Sequence, residues 1–379
     1  MRKVYITNHN IITPLGFDSV SNFKNLLNNK SSIKEYKKFN VSYSSIIDKE
    51  KINLAFSKIG KINLYTPLEK MMLLSVNHVL NNSKLKITNK TGLIISTTKG
   101  NIDTLSPKSI FFTDKNRAYL FELGNQIKSF FKFKNQAIVL SNACVSGVLA
   151  ISVAKHLIQS KLYNNIIIVS GDLVSEFILS GFESFQAISK KPCKPYSKNR
   201  DGITLGEAVA CVLVNTSILE SSKNTVQIIG SASCNDANHI SGPSRTGDGL
   251  YLCVKSALNE AQISVADIDY ISAHGTATSY NDEMEAIAFN RLKMAHIPLH
   301  SLKGYYGHTL GTSGLLESII GIESLHQSTL IASAGFDKLG VSKPLNIIRK
   351  TEIRELKIFL KTASGFGGSN SAVILKKIA

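Results

Sequence analysis

The sequence contains no apolar run that approaches the roughly 18 residues needed to span a membrane. Its first residues carry two charges, Arg2 and Lys3, and no apolar stretch follows them, only Thr7-Asn8-His9-Asn10. Because this start is unlike a secretory signal, we expect a cytoplasmic protein that is not associated with a membrane.

Cysteine is scarce and its pattern is unpaired. The five cysteines, at positions 144, 193, 211, 234 and 253, are odd in number and include no C-x-x-C pair. A disulfide framework and a cysteine zinc site are both poorly supported, so we expect reduced thiols and no metal. Each thiol is then either a small buried hydrophobe or a nucleophile.

Phosphate-binding loops and dense basic blocks are absent as well. The glycine-rich segment Ser364–Asn370 has neither the Gly-Lys-Ser/Thr of a P-loop nor G-x-G-x-x-G spacing. The formal net charge is +17, but the lysines are scattered without interleaved aromatic residues, so nucleic-acid binding is not predicted. The charge indicates either attraction to an acidic partner or the compositional habit of a chain that uses Lys, Asn and Ile freely.

The sequence does offer apolar residues at 43% and charged residues at 19%, which suits a large core. Its clearest segment predicts a β-α-β unit: a strand over 137–141, a helix over 146–162 and a buried strand over 165–171. Cys144 lies at the turn from the first strand to the helix. These elements predict an α/β fold.

The second half of the chain shows a similar order of predicted strands and helices. A strand over 270–274 ends in a histidine, and helices are predicted over 282–292 and 313–330. The helix that starts at Ser313-Gly314-Leu315-Leu316 resembles the one that starts at Ser146-Gly147-Val148-Leu149. We therefore predict two halves of like topology, residues 1–217 and 218–379, with the boundary near the polar stretch 216–224.

Cys144 is the first candidate for chemistry. Free backbone N–H groups and the helix dipole at such a turn favour an anion, which predicts a lowered thiol pKa. A small residue, Gly147, would allow helix, strand and substrate to approach closely. The alternative is a buried structural cysteine, which we expect for the other four.

Two histidines are further candidates. His274 ends a predicted strand, and His308 lies in a glycine-rich segment; either could point into a cavity or be a core histidine satisfied by backbone. Lys303 precedes His308 by five residues and Glu317 follows it by nine, so this pair could orient the imidazole, or be a solvated surface pair. The loop containing Phe366, Gly367 and Gly368 could bring N–H groups to a ligand or be a plain turn.

The order of these motifs resembles that of β-ketoacyl-acyl-carrier-protein synthases of the elongating type, in the thiolase superfamily. The matching segments are Asn-Ala-Cys144-x-Ser-Gly, His274-Gly-Thr-x-Thr, Lys303 with Gly-His308-x-x-Gly-x-x-Gly, and Gly-Phe366-Gly-Gly-x-Asn. Further matches are Pro195-Tyr196-Ser197 with Arg200-Asp201-Gly202, and Asp282-x-x-Glu285. The chain departs from the family at Thr7-Asn8-His9-Asn10, where Thr-Gly-x-Gly is usual, and at Gly304, where Ser is usual.

The resemblance implies a thiolase-like fold, with two pseudo-duplicated halves in a layered αβαβα arrangement. It implies acyl transfer to Cys144, followed by decarboxylative condensation with a malonyl-carrier thioester, in fatty-acid or polyene/polyketide elongation. His274 and His308 would donate hydrogen bonds to the thioester carbonyl, and Lys303 with Glu317 would set the surrounding field. The N–H groups of Cys144 and Phe366 would form a second oxyanion hole, and Phe366 would gate malonyl access.

The resemblance also implies how substrates arrive. Thr276 and Thr278 would hold the phosphopantetheine arm of an acyl carrier protein, with Gly367 and Gly368 beside the substrate, and no cofactor of the enzyme's own is expected. The expected assembly is a homodimer, or a heterodimer with a related subunit. The alternative function is a non-catalytic partner subunit that determines chain length, but such partners usually lack the nucleophile.

Overall fold

The computed structural model describes residues 2–36, 43–218, 224–236 and 242–378. Its strands are β1 (Tyr5–Ile12), β2 (Lys34–Glu35), β3 (Tyr43–Ser45), β4 (Thr91–Ser96), β5 (Ile138–Leu140), β6 (Asn165–Asp172), β7 (Leu205–Gly206), β8 (Ala208–Asn215), β9 (Val226–Asn235), β10 (Tyr270–Ser272), β11 (Pro298–His300), β12 (Thr329–Leu330), β13 (Asn346–Ile347), β14 (Glu352–Ile353), β15 (Ile358–Gly365) and β16 (Ser369–Lys377). Its α-helices are α1 (Ser19–Leu27), α2 (Lys49–Phe56), α3 (Pro67–Ser83), α4 (Leu120–Phe131), α5 (Ser146–Gln159), α6 (Glu176–Ser184), α7 (Asp248–Ala261), α8 (Ser279–Arg291), α9 (Lys303–Tyr306) and α10 (Ser313–His326). None of these helices is both long and apolar enough to cross a bilayer.

An 11-stranded sheet with the order β13-β11-β10-β15-β16-β9-β1-β8-β6-β4-β5 organises the chain. Every residue of β4 and β8 is buried, which explains why these strands are nearly continuous apolar runs. The strands from β5 to β1 come from the first part of the chain and those from β9 to β13 from the second. The two sets meet where Tyr5 pairs with Gln227 and Ile6 with Val226, and where the amide of Ile228 donates to the carbonyl of Val4 at 2.9 Å.

Helices cover the two halves of the sheet and fill the space between them. Helices α3 and α4 pack on the outside of the first half, and α7, flanked by α8, packs on the outside of the second. Helices α5 and α10 lie in the middle, where each contacts strands of both halves as well as the other helix. This confirms the layered αβαβα arrangement that the family resemblance implied.

Glycine lets α5 and α10 approach within backbone contact of each other. A Cβ on Gly147 would lie 2.7 Å from the amide nitrogen of Leu315, and one on Gly314 would lie 2.9 Å from that of Val148. Real Cβ atoms do not come this close to backbone, so the crossing requires glycine on both helices. The resemblance between the two helix starts therefore has a packing basis.

Some predicted boundaries differ from the structure. Helix α5 ends at Gln159 and α10 at His326, earlier than the predicted ends at 162 and 330, because Lys161 and Ser328 adopt left-handed backbone with φ of 65° and 48°. Thr329 and Leu330 form β12 instead. The Lys-rich stretch 24–65 contains the end of α1, the short strands β2 and β3, and all of α2. Within the predicted boundary 216–224, residues 219–223 lie outside the described ranges.

Candidate active site

Cys144 lies in a tight turn between β5 and α5, as the sequence predicted. The residue before it, Ala143, has a φ of 44°, a conformation that side chains rarely adopt and that often marks functional turns. Ser146 fixes the turn: its hydroxyl accepts a hydrogen bond from the Asn142 amide at 2.8 Å and donates to the Ala143 carbonyl at 2.7 Å. The turn places the thiol at the start of a buried helix.

His308 faces this thiol. Its Nε2 lies 3.1 Å from Sγ of Cys144, and its Nδ1 accepts a hydrogen bond from the amide of Leu310 at 3.2 Å. Because Nδ1 acts as an acceptor, the proton of the neutral ring resides on Nε2. The tautomer set by the Leu310 amide therefore directs an N–H at the sulfur.

His274 follows β10 and is held by carboxylates from α8. Glu285 accepts hydrogen bonds from the amides of His274 and Gly275 at 2.8 and 2.7 Å. Asp282 accepts from the next amide, that of Thr276, at 2.9 Å. The Asp-x-x-Glu motif thus anchors the backbone that carries the histidine, a role that spacing alone did not indicate. The rings of His274 and His308 lie 5.3 Å apart, edge to face.

A buried triad of charges lies behind the two histidines. Lys303 and Lys361 place their Nζ atoms 2.9 and 2.5 Å from the two carboxylate oxygens of Glu317. Lys303 also donates to the carbonyl of His274. All three side chains are at most 3% exposed, which excludes the alternative of a solvated surface pair and favours the orienting role. Lys361 was missed, although a lone lysine inside an apolar strand is itself a signal.

A cavity of about 290 Å³ opens above the thiol. Cys144 and both histidines line it, together with Thr276, Thr278 and Phe366. The hydroxyls of the two threonines lie 2.9 Å apart. The cavity therefore reaches from the thiol to the two residues expected to hold the substrate arm.

Phe366 stands at this opening within an aromatic cluster that the sequence did not predict. Its ring centroid lies 5.5 Å from that of Phe182 and 5.2 Å from that of Phe185, both contributed by α6 and its C-terminal end. Phe366 is 38% exposed and Phe185 52%. Phe366, the residue predicted to gate malonyl access, thus contacts aromatic side chains on one side and is open to solvent on another.

The glycine-rich loop lies beside the amide of Cys144. A Cβ on Gly365 would be 3.1 Å from that nitrogen, which is closer than most Cβ contacts, so glycine favours this approach. Gly367 and Gly368 turn the chain with φ of 85° and 75°. Gly365 and Phe366 line the cavity, whereas Gly367 and Gly368 shape the turn behind it.

Burial dominates the electrostatics of the site. It raises the pKa of the Cys144 thiol to about 12, with Lys303 acting in the opposite direction, so the predicted lowering of this pKa at the helix start is wrong. Burial, reinforced by Lys303, also holds the pKa values of His274 and His308 well below the usual range. Both imidazoles are therefore neutral near pH 7 and serve as hydrogen-bond donors or acceptors without carrying charge.

The sulfur of Cys144 and ring nitrogens of the two histidines all lie within 4.8 Å of one another. One substrate carbonyl can contact all three groups. The same spacing would also suit a thiophilic metal ion, so freedom from metal stays a prediction of the sequence.

The resembled family usually has serine at the position of Gly304. The glycine found here has a steric explanation. A Cβ at this position would overlap the carbonyl oxygen of Ala334. The substitution therefore reflects how closely α9 packs against the 331–336 segment and leaves the neighbouring Lys303 in place.

Comparisons with known proteins agree with this geometry. Residues 1–217 match the family described as Beta-ketoacyl synthase, N-terminal domain, and residues 226–337 match Beta-ketoacyl synthase, C-terminal domain. Among relatives, 3-oxoacyl-[acyl-carrier-protein] synthase 2 of Rhizobium meliloti is 32% identical over 64% of this chain and 61% of its own length. The chloroplastic 3-oxoacyl-[acyl-carrier-protein] synthase II of Arabidopsis thaliana is 26% identical over 98% of this chain and 75% of its own length.

Solved structures share the fold over the whole chain. The ishigamide ketosynthase/chain length factor superposes with a TM-score of 0.89 at 19% identity, and covers 100% of both chains. A type II PKS acyl-carrier protein in complex with its ketosynthase gives a TM-score of 0.86 at 21% identity, again over 100% of both chains. Since the two family domains together match residues on both sides of the active site, the chain belongs to the beta-ketoacyl synthase family.

Proposed function

We propose that the protein is an elongating β-ketoacyl-acyl-carrier-protein synthase that condenses an acyl group held on Cys144 with a malonyl group. The observation that carries this proposal is the 3.1 Å contact between Sγ of Cys144 and Nε2 of His308, with His274 beside them at the base of a cavity. A thiol nucleophile and two neutral N–H donors are what thioester transfer followed by decarboxylation requires.

In the first stage the sulfur of Cys144 attacks the carbonyl carbon of an acyl thioester. The new C–S bond forms as the bond to the carrier's sulfur breaks, and the carrier leaves as its thiol once it takes up the proton that the Cys144 thiol loses. The N–H on Nε2 of His308 stabilises the attacking sulfur anion, which offsets part of the cost of burying it. The amides of Cys144 and Phe366 would receive the charge that develops on the acyl oxygen.

In the second stage a malonyl thioester takes the place of the departed carrier. As its carboxyl group leaves as CO₂, the electron pair of the broken bond forms an enolate whose oxygen accepts hydrogen bonds from His274 and His308. The enolate carbon attacks the acyl carbonyl and expels the thiolate of Cys144. Each donor aimed at such a developing charge typically contributes about 10²–10³ in rate.

Single substitutions at the site separate the two stages. Cys144→Ala should abolish acyl transfer, and His308→Ala should slow malonyl decarboxylation by about 10²–10³. The measurements are radiolabelled acyl transfer to the protein and release of CO₂ from malonyl-carrier. Cys211→Ala, in the core strand β8, is the matched control and should keep both activities. A fully active Cys144→Ala protein would end the proposal.

The second candidate is a non-catalytic subunit that determines chain length in a heterodimer. It is favoured by the fold shared with the ishigamide ketosynthase/chain length factor. A thiol that lines the cavity beside two histidines argues for the catalytic alternative. Incubating the protein alone with a thiol-reactive fatty-acyl analogue separates the two, because only the synthase should be labelled at Cys144.

The substrate arm and its carrier are part of the same proposal. The hydroxyls of Thr276 and Thr278 suit the amide groups of phosphopantetheine, and no cofactor of the enzyme's own is needed. Lys190, Lys191 and Lys198 are exposed close to the cavity-lining residues 186–187 and 201–203, where they would attract an acidic carrier. Lys190→Glu should raise the KM for carrier-borne substrate and leave that for a pantetheine thioester unchanged.

The proposed assembly is supported by the strand at one edge of the sheet, among the residues that the structure describes. Strand β5 ends the strand order, and its three residues, Ile138–Leu140, are apolar yet only half-buried. An apolar edge strand is prone to pair with another strand, so we propose a dimer through β5, with a second copy or a related subunit. Sedimentation of the protein alone distinguishes a homodimer from a monomer awaiting a partner.

Cytoplasmic location, which suits five free thiols, completes the proposal.

A further inference from the structure

Two cysteines outside the catalytic site lie in contact. Cys234 belongs to β9 and Cys253 to α7, and their thiols are hydrogen-bonded to each other. Cys253 is buried and its sulfur also lies 3.2 Å from the carbonyl oxygen of Ala232, whereas Cys234 is partly exposed. The thiol of Cys234 is therefore open to reagents in solution, and the thiol of Cys253 lies directly behind it.

This pair adjoins the loop that carries Phe366. Immediately after Cys234, the side-chain amide of Asn235 donates to the carbonyl of Gly367 at 2.8 Å, and the backbone amide of Asp236 donates to that of Gly368 at 2.8 Å. The end of β9 thus holds the turn that positions the gating residue.

Helix α7 is fastened to the same point. The amide of Gly249, in its first turn, donates to the carboxylate of Asp236 at 2.5 Å, and the side chain of Asn370 donates to the other oxygen at 3.0 Å. A shift of α7 relative to β9 therefore reaches the glycine-rich loop through Asp236.

The thiol chemistry favours reaction at Cys234. The hydrogen bond from Cys253 lowers the pKa of Cys234 to about 7, so a large fraction is thiolate near neutral pH. A thiolate at ambient pH is the form that attacks disulfides, and the burial of Cys253 leaves it as the resolving partner. Disulfides in cytosolic proteins are usually transient and redox-sensing.

We propose that Cys234 and Cys253 form a redox-modification site, in which a reversible internal disulfide alters the loop that carries Phe366. The oxidant is a small-molecule disulfide. The thiolate of Cys234 attacks one of its sulfurs and releases one thiol, which leaves a mixed disulfide on Cys234. The thiol of Cys253 loses its proton and attacks Cys234, releasing the second thiol. The two protein thiols are oxidised, and the small disulfide is reduced to two thiols.

Closure of this bond changes the geometry next to the gate. The two sulfurs move from hydrogen-bond contact to about 2.05 Å, and the contact between Cys253 and the Ala232 carbonyl is lost. Since α7 and β9 both hold Asp236, this movement should reposition the glycine-rich loop. We expect condensation to slow several-fold on oxidation and to recover with dithiothreitol, an effect on activity that rests on the proposed function.

The test uses the full chain titrated with oxidised glutathione at pH 7.5. Differential alkylation and peptide mass spectrometry should find the 234–253 linkage, with Cys144 still reduced, and dithiothreitol should reverse it. In the Cys253→Ala variant the reaction should stop at the glutathione adduct on Cys234. The Cys234→Ser variant should form neither this adduct nor the 234–253 linkage. Under reducing conditions both variants should condense malonyl and acyl groups like the wild type.

The linkage is read by mass, so it is independent of whether the chain condenses anything. Absence of the 234–253 linkage in wild-type protein overturns the proposal, as does equal loss of activity on oxidation in wild type and Cys234→Ser. By contrast, a linked protein that never condenses malonyl and acyl groups, even when reduced, retains the modification site and refutes the proposed function.

Discussion

Glu317→Gln should be strongly destabilising, because Glu317 is the anion of a buried triad. Its carboxylate lies 2.9 Å from Nζ of Lys303 and 2.5 Å from that of Lys361. Removing one partner of a buried ion pair typically costs 3–5 kcal/mol. Each lysine keeps carbonyl contacts, Lys303 with His274 and Lys361 with Ser272 and Ala273, so we expect a loss of about 3 kcal/mol in the free energy of unfolding, at the lower end of that range.

Urea unfolding followed by circular dichroism measures this loss. A double-mutant cycle with Lys361→Met isolates the pair: the double variant should be more stable than the sum of the single losses by about 1–3 kcal/mol. Glu183→Gln, at an exposed position of α6, is the matched control and should stay within about 0.5 kcal/mol of the wild type.

The same variant has a pH signature. Burial alone would raise the pKa of Glu317, but Lys303 and Lys361 hold it below its usual 4.5. Its stabilisation is therefore complete above about pH 4.5 and is lost as the pH falls through the folded-state value. Glu317→Gln should remove this part of the acid loss. A destabilisation below about 1 kcal/mol, or a strictly additive cycle, would refute the account of the triad.

Three further predictions address other parts of the molecule. Gly304→Ser should lower the free energy of unfolding by about 1–3 kcal/mol because its Cβ overlaps the Ala334 carbonyl, and unchanged urea unfolding would contradict this packing. The rate at which iodoacetamide alkylates Cys144 should rise steadily from pH 7 to about pH 10, because the thiol pKa is about 12. A plateau in this rate below pH 8 would show that burial does not raise the thiol pKa this far. Burial lowers the pKa of His300 to about 4, so the neutral ring supports folding above about pH 6.5 and this support is lost as the pH falls toward 4. His300→Gln should therefore reduce the slope of stability against pH in this interval by up to about 1.4 kcal/mol per pH unit, and an unchanged slope would show that His300 does not titrate there.

The sequence was most informative where the structure is local. The turn that carries Cys144 was predicted because a strand, a small-residue turn and a helix follow one another directly in the chain. The two starts at Ser146 and Ser313 predicted equivalent helices for the same reason. The layered fold followed once the order of motifs indicated the family.

Long-range contacts were harder to foresee. Lys361 lies 44 positions after Glu317 in the chain, and only the folded sheet brings them together. The pKa of Cys144 was predicted to fall because the helix start was visible in the sequence, whereas the depth of burial that raises it was not. The early ends of α5 and α10 depend on left-handed backbone at Lys161 and Ser328, which these residue types do not signal.

The glycine crossing of α5 and α10 has a consequence for how this catalyst can be divided. The sulfur precedes one of these helices and its facing imidazole precedes the other, so the reactive centre exists only at the seam between two related lobes. A chain cut between β8 and β9 would yield two pieces, each with a helix that lacks its partner. We expect neither piece alone to show any turnover. Mixing the two pieces should restore turnover only to the extent that α5 and α10 pack against each other again.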